Sequence, residues 1–242
     1  MMHEPEFEIG KIKAFECLKE GWALIKGDYW LLFAITLVGV LIGGATMYIL
    51  LGAMLVGINM CYLKVIDGEP IQFDILFKGF DKLGAGLVVV LFIVVPIIVV
   101  YVFIYIPFIA AAIMSENRVG EETIVPMLLV FGVIDLVILL VMVCFHTLLI
   151  FSFPLIADRR LGGIEAMKLS ARAVWQNLGG VTGLIVVNML LSIAGQLALC
   201  IGIYFAIPIM MACNVVAYRK VFPRRDQLMF MPPPPNAYQG LQ

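Results

Sequence analysis

Two side chains that can exchange protons lie within one of the most apolar stretches of the chain. This stretch, FGVIDLVILLVMVCFH at residues 131–146, has Asp135 near its start and His146 at its end. On an α-helix, their separation of 11 residues places both on nearly one face, about 16 Å apart along the axis. An ionised aspartate at the centre of a membrane helix costs about 2.5–3.5 kcal/mol on insertion scales. The pair therefore predicts either a route for protons or solutes, or a polar contact that holds helices together.

Other polar side chains occur at helical spacing in neighbouring apolar segments. Asn188, Ser192 and Gln196 follow one face of the segment that begins near residue 179. Because lipid offers a carboxyl group no partner, we expect Asp135 to face the bundle interior and to bond Gln196. The full candidate polar cluster is Asp135, His146, Asn188, Ser192, Gln196, Asn59 and Asn214. If these groups only hold helices together, each contact contributes about 0.6–2 kcal/mol.

The composition indicates which solvent these segments meet. Of the 242 residues, 63% are hydrophobic and 14% are charged, and the mean hydropathy is +1.06. A soluble domain has about 50% apolar and about 25% charged residues. The excess apolar residues lie in runs too long for a soluble core. The sequence therefore predicts an all-α integral membrane protein with several spans.

The apolar runs divide into six predicted transmembrane helices. A helix needs about 20 residues to cross the hydrocarbon core, within a range of about 17–25. The membrane domain is predicted over 29–222, with spans at 29–45, 47–66, 84–114, 124–157, 179–199 and 201–222. A cytoplasmic segment 1–28 precedes it. The tail 223–242 contains PPPP, which predicts either a disordered end or an extended segment bound by a partner.

The basic residues predict the orientation of the spans. The chain has 16 Lys and Arg residues, and with six spans all of them except Arg118 fall on one side. Since Lys and Arg concentrate on the cytoplasmic side, both termini are predicted to be cytoplasmic. The N-terminus, MMHEPEFEIG, has neither the basic start nor the cleavage site of a signal peptide. We therefore expect the first span to remain as an uncleaved anchor.

An amphipathic segment precedes each pair of predicted spans. Apolar residues recur at helical spacing within 1–28, 71–83 and 162–178, with charged residues between them. Basic amphipathic helices with aromatic residues lie in the headgroup region of a membrane. We therefore expect three hairpins, each preceded by an interfacial helix on the cytoplasmic side. The candidate contacts to lipid headgroups are Arg159, Arg160, Lys168, Arg172 and Trp175.

Short similarities indicate that this unit is repeated. KLGAGLVVV at 82–90 is similar to NLGGVTGLIVV at 177–187, and YLKVI at 62–66 is similar to YRKVF at 218–222. These matches are short and apolar, so chance similarity stays an open alternative. Within the first span, Gly39 and Gly43 form a GxxxG pair. This pair predicts close helix packing, either inside the bundle or between two copies.

The residue types argue against several classes of site. The five cysteines lack the spacings of disulfide or zinc sites, so we expect free thiols. The two histidines belong to no HExxH motif, and the chain has no GxSxG and no phosphate-binding glycine loop. We therefore expect no catalytic residue, no metal and no cofactor. The net charge of -1 indicates no nucleic-acid partner.

Three stretches resemble a bacterial group of membrane proteins. They are LKEGWALIKGDYWLLF, FPLIADRRLGGIEAMKLSARAVWQN and IPIMMACNVVAYRKVF. They are similar to segments of polytopic proteins related to the membrane domain found beside glycerophosphodiester phosphodiesterases. The resemblance covers most of residues 11–223 and implies a six-helix protein of the bacterial inner membrane. It transfers no catalytic residue, and the chain has no room for the soluble phosphodiesterase domain.

Two functions agree with these residues. The first is a non-enzymatic membrane-organising or accessory protein whose basic inner face binds anionic lipid headgroups, with a protein partner or a second copy left open. The second is a small-solute or ion permease or channel that uses the polar face of Asp135 and His146. The repeated pattern on the inner face favours the first function, because polar residues within the spans are few.

Overall fold

Every element in the described part of the chain is a helix. The computed structural model describes residues 7–106, 109, 113, 121–197 and 201–224. The loop around Arg118, Cys200 and residues 225–242 of the proline-rich tail lie outside this part. The predictions made for them therefore stay predictions.

The described helices follow one another along the chain. In chain order they are α1 (Ala14–Ile25), α2 (Tyr29–Ala45), α3 (Leu51–Ile66), a 3₁₀ helix (Phe73–Lys82), α4 (Leu83–Val100), a π-helical segment (Tyr101–Tyr105), α5 (Glu121–Leu148), α6 (Ser152–Arg159), α7 (Gly163–Gln176), α8 (Leu178–Leu197) and α9 (Gly202–Val221). The chain bends by 102° between α1 and α2. The 3₁₀ helix continues directly into α4.

Four segments of the described residues are long and apolar enough to cross a membrane. They are Phe73–Val100, Gly132–Arg159, Leu178–Leu197 and Gly202–Val221, and α1 with α2 adds a fifth if the bent pair is counted as one span. Helix α2 has 17 residues and α3 has 16, at or below the lower limit of about 17 for one crossing. The apolar helices are consistent with a multi-pass membrane protein. The structure differs from the six predicted spans at the first two, 29–45 and 47–66, where the helices α2 and α3 are short.

Helix α3 lies at the centre of the fold. It packs against α2, the 3₁₀ helix, α4 and α6, and it also contacts α9. Two glycines allow the closest of these approaches. A Cβ on Gly57 would overlap the backbone carbonyl of Leu76, and a Cβ on Gly79 would overlap the carbonyl of Ala53. The 3₁₀ helix therefore lies backbone against backbone on α3.

A break separates α5 from α6 at residues 149–151. Pro154 has no N–H, and its ring displaces the carbonyl four residues earlier, so an undistorted helix cannot pass this turn. The hydroxyl of Ser170 on α7 bridges the break. It accepts a hydrogen bond from the Phe151 N–H at 3.1 Å and donates one to the Leu148 carbonyl at 2.7 Å. A side chain of another helix thus bonds backbone groups on both sides of the break.

The three amphipathic segments divide their apolar residues between two faces. Small and aliphatic residues are buried, among them Cys17, Gly21 and Ile25 in α1, Ile75, Leu76 and Gly79 in the 3₁₀ helix, and Ala166, Ser170 and Ala173 in α7. Large apolar side chains are exposed, among them Phe15, Trp22, Phe73, Phe77, Phe80, Ile164 and Trp175. The sequence predicted one continuous apolar face on each segment. The structure instead packs on the bundle the face that carries the small residues together with aliphatic ones such as Ile25 and Leu76, because small residues allow a closer approach.

Candidate functional site

Asp135 lies in α5 and bonds the π-helical segment that follows α4. The Tyr105 hydroxyl donates to Asp135 Oδ1 at 2.9 Å, and the rings of Tyr105 and Tyr101 stack with centroids 4.9 Å apart. A π-helical turn is rare and often occurs at functional sites. The sequence predicted Gln196 as the partner of Asp135, but in the structure the partner is Tyr105. Gln196 is exposed on α8.

His146 contacts the backbone of α4. Its Nε2 lies 3.3 Å from the carbonyl oxygen of Ile93. Pro96 lies inside α4, and because a proline has no N–H, the carbonyl of Phe92, the residue before Ile93, loses its helical hydrogen bond. In the tautomer that carries its hydrogen on Nε2, the imidazole donates to this turn. His146 and Asp135 therefore take part in two separate contacts along the same helix pair.

The other polar candidates form contacts of their own. Asn188 Nδ2 donates to Asn214 Oδ1 at 2.7 Å and so joins α8 to α9. The Ser192 hydroxyl lies 3.7 Å from a methionine sulfur of α9. Asn59 is buried and donates to the Leu55 carbonyl one turn earlier in α3. The structure thus distributes six of the seven predicted residues over separate contacts, leaves Gln196 exposed, and does not bring the seven into one cluster.

Gly39 and Gly43 face neighbours within the same chain. A Cβ on Gly39 would lie 2.9 Å from Ile58 Cδ1, and a Cβ on Gly43 would lie 2.9 Å from Leu51 Cα. Both glycines are buried. In this structure the pair brings α2 close to α3.

The predicted headgroup residues lie on two surfaces. Lys168, Arg172 and Trp175 are exposed on one face of α7. The other face of α7 packs against α4, α5 and α6. Arg159, by contrast, places its guanidinium carbon 4.9 Å from the ring centroid of Phe222. Arg160 is exposed, in the left-handed conformation that ends α6, with a φ of 56°.

An ion network that we did not predict from the sequence joins the ends of three helices. Arg219, in the last turn of α9, donates from Nε and Nη2 to the two carboxylate oxygens of Asp67 at 2.9 and 2.7 Å. It also donates from Nη1 and Nη2 to Asp158 at 2.8 and 2.9 Å. The Tyr218 hydroxyl donates to Asp158 at 2.7 Å. We call these four residues the Arg219 network. Asp67 follows α3 and Asp158 lies at the end of α6, so one guanidinium ties α3, α6 and α9 together.

The Arg219 network is largely withdrawn from solvent. The side chains of Arg219 and Asp67 are each 13% exposed, and that of Asp158 is 20% exposed. Both carboxylates lie at the C-terminal end of a helix, where the helix dipole disfavours negative charge. The guanidinium forms paired hydrogen bonds with both carboxylates, which share its single positive charge. Its four bonds occupy four of the five N–H groups of an arginine, so the arrangement holds helices and leaves little capacity for a ligand.

A more exposed group of charges flanks the Arg219 network. Glu69 accepts hydrogen bonds from Lys64 and from Arg224, each at 2.8 Å. The hydrogen bond and charge of Lys64, followed by the hydrogen bond of Arg224, hold the pKa of Glu69 below its usual range. Such exposed ion pairs contribute little to stability. Charged residues in VIDGE, ADRR and YRKVF could have indicated the Arg219 network and the ion pairs of Glu69. Each of these stretches lies at a helix end on the same predicted side of the membrane.

The described residues contain no group of three or more His, Cys, Asp or Glu side chains placed to hold a metal ion. No protein-family model matches the chain, and no curated protein or solved structure is significantly similar to it.

Proposed function

We propose that the chain is a non-enzymatic integral protein of a bacterial inner membrane, which organises the membrane or serves as an accessory protein by binding anionic lipid through its basic inner face. Six crossings form three hairpins, each hairpin follows an interfacial segment, and both termini are cytoplasmic. The observation that carries the proposal is the outer face of α7, where Lys168 and Arg172 are exposed beside Trp175.

The outer face of α7 has the chemistry of a headgroup contact. A Lys or Arg near an anionic membrane surface is worth about 1 kcal/mol, and tryptophan concentrates at the interface between lipid and water. Because the opposite face of α7 is packed on the bundle, the helix holds these side chains at a fixed position. The exposed aromatic residues of α1 and the 3₁₀ helix support the same placement at an interface.

The second candidate function is a small-solute or ion permease or channel. The observation that favours it is the hydrogen bond between Tyr105 and Asp135 beside a π-helical segment. A transport route needs polar groups that follow one another across the membrane. The polar candidates of the described residues lie in separate contacts, so we favour the lipid-binding function.

The proposed orientation predicts which introduced cysteines react from outside. In a background without the five natural cysteines, Glu121→Cys in sealed cells is expected to react with an impermeant maleimide. Arg160→Cys is expected to react only after the cells are permeabilised, because the bilayer separates it from the reagent. The measurement is the labelled fraction of each variant. Labelling of Arg160→Cys in sealed cells would contradict the orientation.

The proposed headgroup contact predicts a loss when its charges are removed. Replacing Lys168 and Arg172 by Gln is expected to weaken the preference for anionic lipid by about 2 kcal/mol, the sum for two basic residues. The measurement is the quenching of Trp175 by brominated phosphatidylglycerol relative to brominated phosphatidylcholine, with Trp22 and Trp30 replaced by Phe. The matched control, Lys168→Arg with Arg172→Lys, keeps both charges and should keep the preference. An unchanged preference in the Gln variant at low salt would refute the contact.

A further inference from the structure

The three interfacial segments align without a gap. The aligned stretches are Phe15–Trp22 of α1, Phe73–Phe80 of the 3₁₀ helix and Ile164–Ala171 of α7. The second position is acidic in all three, occupied by Glu16, Asp74 and Glu165. Five of the eight positions have the same burial in all three segments. The three segments therefore agree both in residue type and in which side faces the bundle.

The seventh position of this alignment is where each segment meets a neighbouring helix. It is small and buried in every case, as Gly21, Gly79 and Ser170. A Cβ on Gly21 would lie 3.1 Å from the backbone of Ala212 in α9, and a Cβ on Gly79 would overlap the carbonyl of Ala53 in α3. The hydroxyl of Ser170 bonds the backbone at the end of α5. The seventh residue of each segment therefore faces the backbone of a neighbouring helix, by close approach at Gly21 and Gly79 and by a side-chain hydrogen bond at Ser170.

The segments also pack in a cyclic order. The 3₁₀ helix packs on α3, which is the second helix of the first predicted hairpin. Helix α7 packs on α5 and α6, which form the second helix of the second hairpin, and also on α4, the first helix of that hairpin. Helix α1 packs on α9, the second helix of the third hairpin, and so closes the ring. Each segment thus packs on the second helix of the preceding hairpin, if the third hairpin is counted as preceding the first. Chance similarity of apolar residues does not explain why this holds for all three segments.

We infer that the three segments are copies of one lipid-contact unit, and that Lys19 of α1 forms a second contact with anionic lipid headgroups, equivalent to that of Lys168 on α7. Lys19 and Lys168 occupy the fifth position of the alignment, and both are exposed. Phe77 occupies this position in the 3₁₀ helix and is 43% exposed, so the second copy has no cation at the fifth position, and its neighbour Lys78 lies 3.5 Å from Asp74. The inference rests on the proposed function and names a further contact for the same inner face.

The positive charge of Lys19 is complementary to a phosphate headgroup, and its aromatic neighbours suit the same surface. The adjacent acids Glu16 and Glu20 form ion pairs with Lys13 and Lys220. Trp22, three residues further along α1, is 46% exposed. Its ring lies 5.7 Å from that of Tyr29 at the bend into α2. This pairing of a cation with aromatic rings matches the outer face of α7. The inner leaflet of an anionic membrane is therefore the occupant that we assign to both faces.

The test uses the full chain in vesicles of phosphatidylglycerol and phosphatidylcholine, with either lipid brominated in turn. A form that keeps only Trp22 reports on α1, and a form that keeps only Trp175 reports on α7. Lys19→Gln is expected to lower the preference for phosphatidylglycerol about fivefold at Trp22 and to leave Trp175 unchanged, and Lys168→Gln is expected to do the reverse. Lys19→Arg, the matched control, should keep the preference at Trp22.

Adding the missing lysine to the 3₁₀ helix tests directly whether the three segments are equivalent. Phe80→Trp, with the natural tryptophans replaced by Phe, places a reporter in the 3₁₀ helix at the position of Trp22. Adding Phe77→Lys is expected to raise its preference for phosphatidylglycerol about fivefold. The inference would be overturned if Phe77→Lys gives no gain. It would also be overturned if Lys19→Gln leaves the preference at Trp22 unchanged while Lys168→Gln lowers the preference at Trp175. Either result would leave the proposed function standing. If neither lysine affects its own reporter, the proposed function fails as well.

Discussion

Replacing Arg219 by Gln is expected to lower the free energy of unfolding by about 3 kcal/mol. The substitution removes the guanidinium that Asp67 and Asp158 share, and it leaves two carboxylates near helix C-termini without their cation. Removing one partner from a fully buried ion pair costs about 3–5 kcal/mol. The exposure of 13–20% of these side chains places the expected loss at the lower end of that range. The measurement is a denaturant titration of the purified chain in mixed micelles.

Two further variants separate the network from a general effect of charge. Lys13→Gln also removes one cation from an ion pair, but Lys13 and Glu16 are 70% and 54% exposed, so the expected change is below about 0.5 kcal/mol. The combined variant Asp67→Asn, Asp158→Asn and Arg219→Gln leaves no unpaired charge at the site, and it should recover much of the lost stability. If Arg219→Gln is as stable as Lys13→Gln, the network does not hold the three helices together.

Gly57→Ala is expected to destabilise the fold by about 2 kcal/mol or more, because a buried position with no free volume must accept a methyl group. The added Cβ would lie 2.8 Å from the carbonyl carbon of Leu76 and would overlap its oxygen. Both are backbone atoms and cannot rotate away as a side chain can. The 3₁₀ helix would have to move as a whole, and Gly79 holds it against the same helix. The same titration in micelles measures the loss.

Gly44→Ala is the matched control for this substitution. Gly44 also lies in an apolar helix, but a Cβ there would meet no atom within 4 Å. Exchanging glycine for alanine within a helix gains up to about 1 kcal/mol, so this variant should be at least as stable as the natural protein. An equal loss in both variants would mean that the close approach of the 3₁₀ helix to α3 is not the cause.

Composition and the length of the apolar runs were sufficient to predict an all-helical chain, and the structure confirms this for the described residues. Both are properties of single segments. In an apolar solvent each segment must satisfy its own backbone hydrogen bonds, and a helix does so within one segment. Helical spacing also indicated the segments that became α1, the 3₁₀ helix and α7. It could not predict which face of each segment packs on the bundle. A pattern of apolar residues counts Phe15 and Cys17 alike, although the smaller residue lets the backbone of a neighbouring helix come closer.

The pairing of side chains was beyond the sequence. Arg219 and Asp67 are separated by 152 positions, and only the approach of α9 to the end of α3 makes them partners. Asp135 was assigned to Gln196 from depth in the membrane alone, whereas the π-helical segment turns Tyr105 toward it. A period of 3.6 residues does not predict where a side chain points after such a segment. The approach of distant helices therefore decided the partners of Arg219, and a local distortion decided the partner of Asp135.

The Ser170 bridge has a mechanical consequence for the interior of the bundle. Ser170 lies on the packed face of α7, and Lys168 and Arg172 lie on the exposed face of the same rigid helix. A tilt of α7 relative to the bundle must stretch or carry the two hydrogen bonds that Ser170 makes across the break between α5 and α6. That break is a joint in the segment that also contains Asp135 and His146. In the proposed orientation, a force that the membrane exerts on the exposed face of α7 is therefore transmitted to the break between α5 and α6.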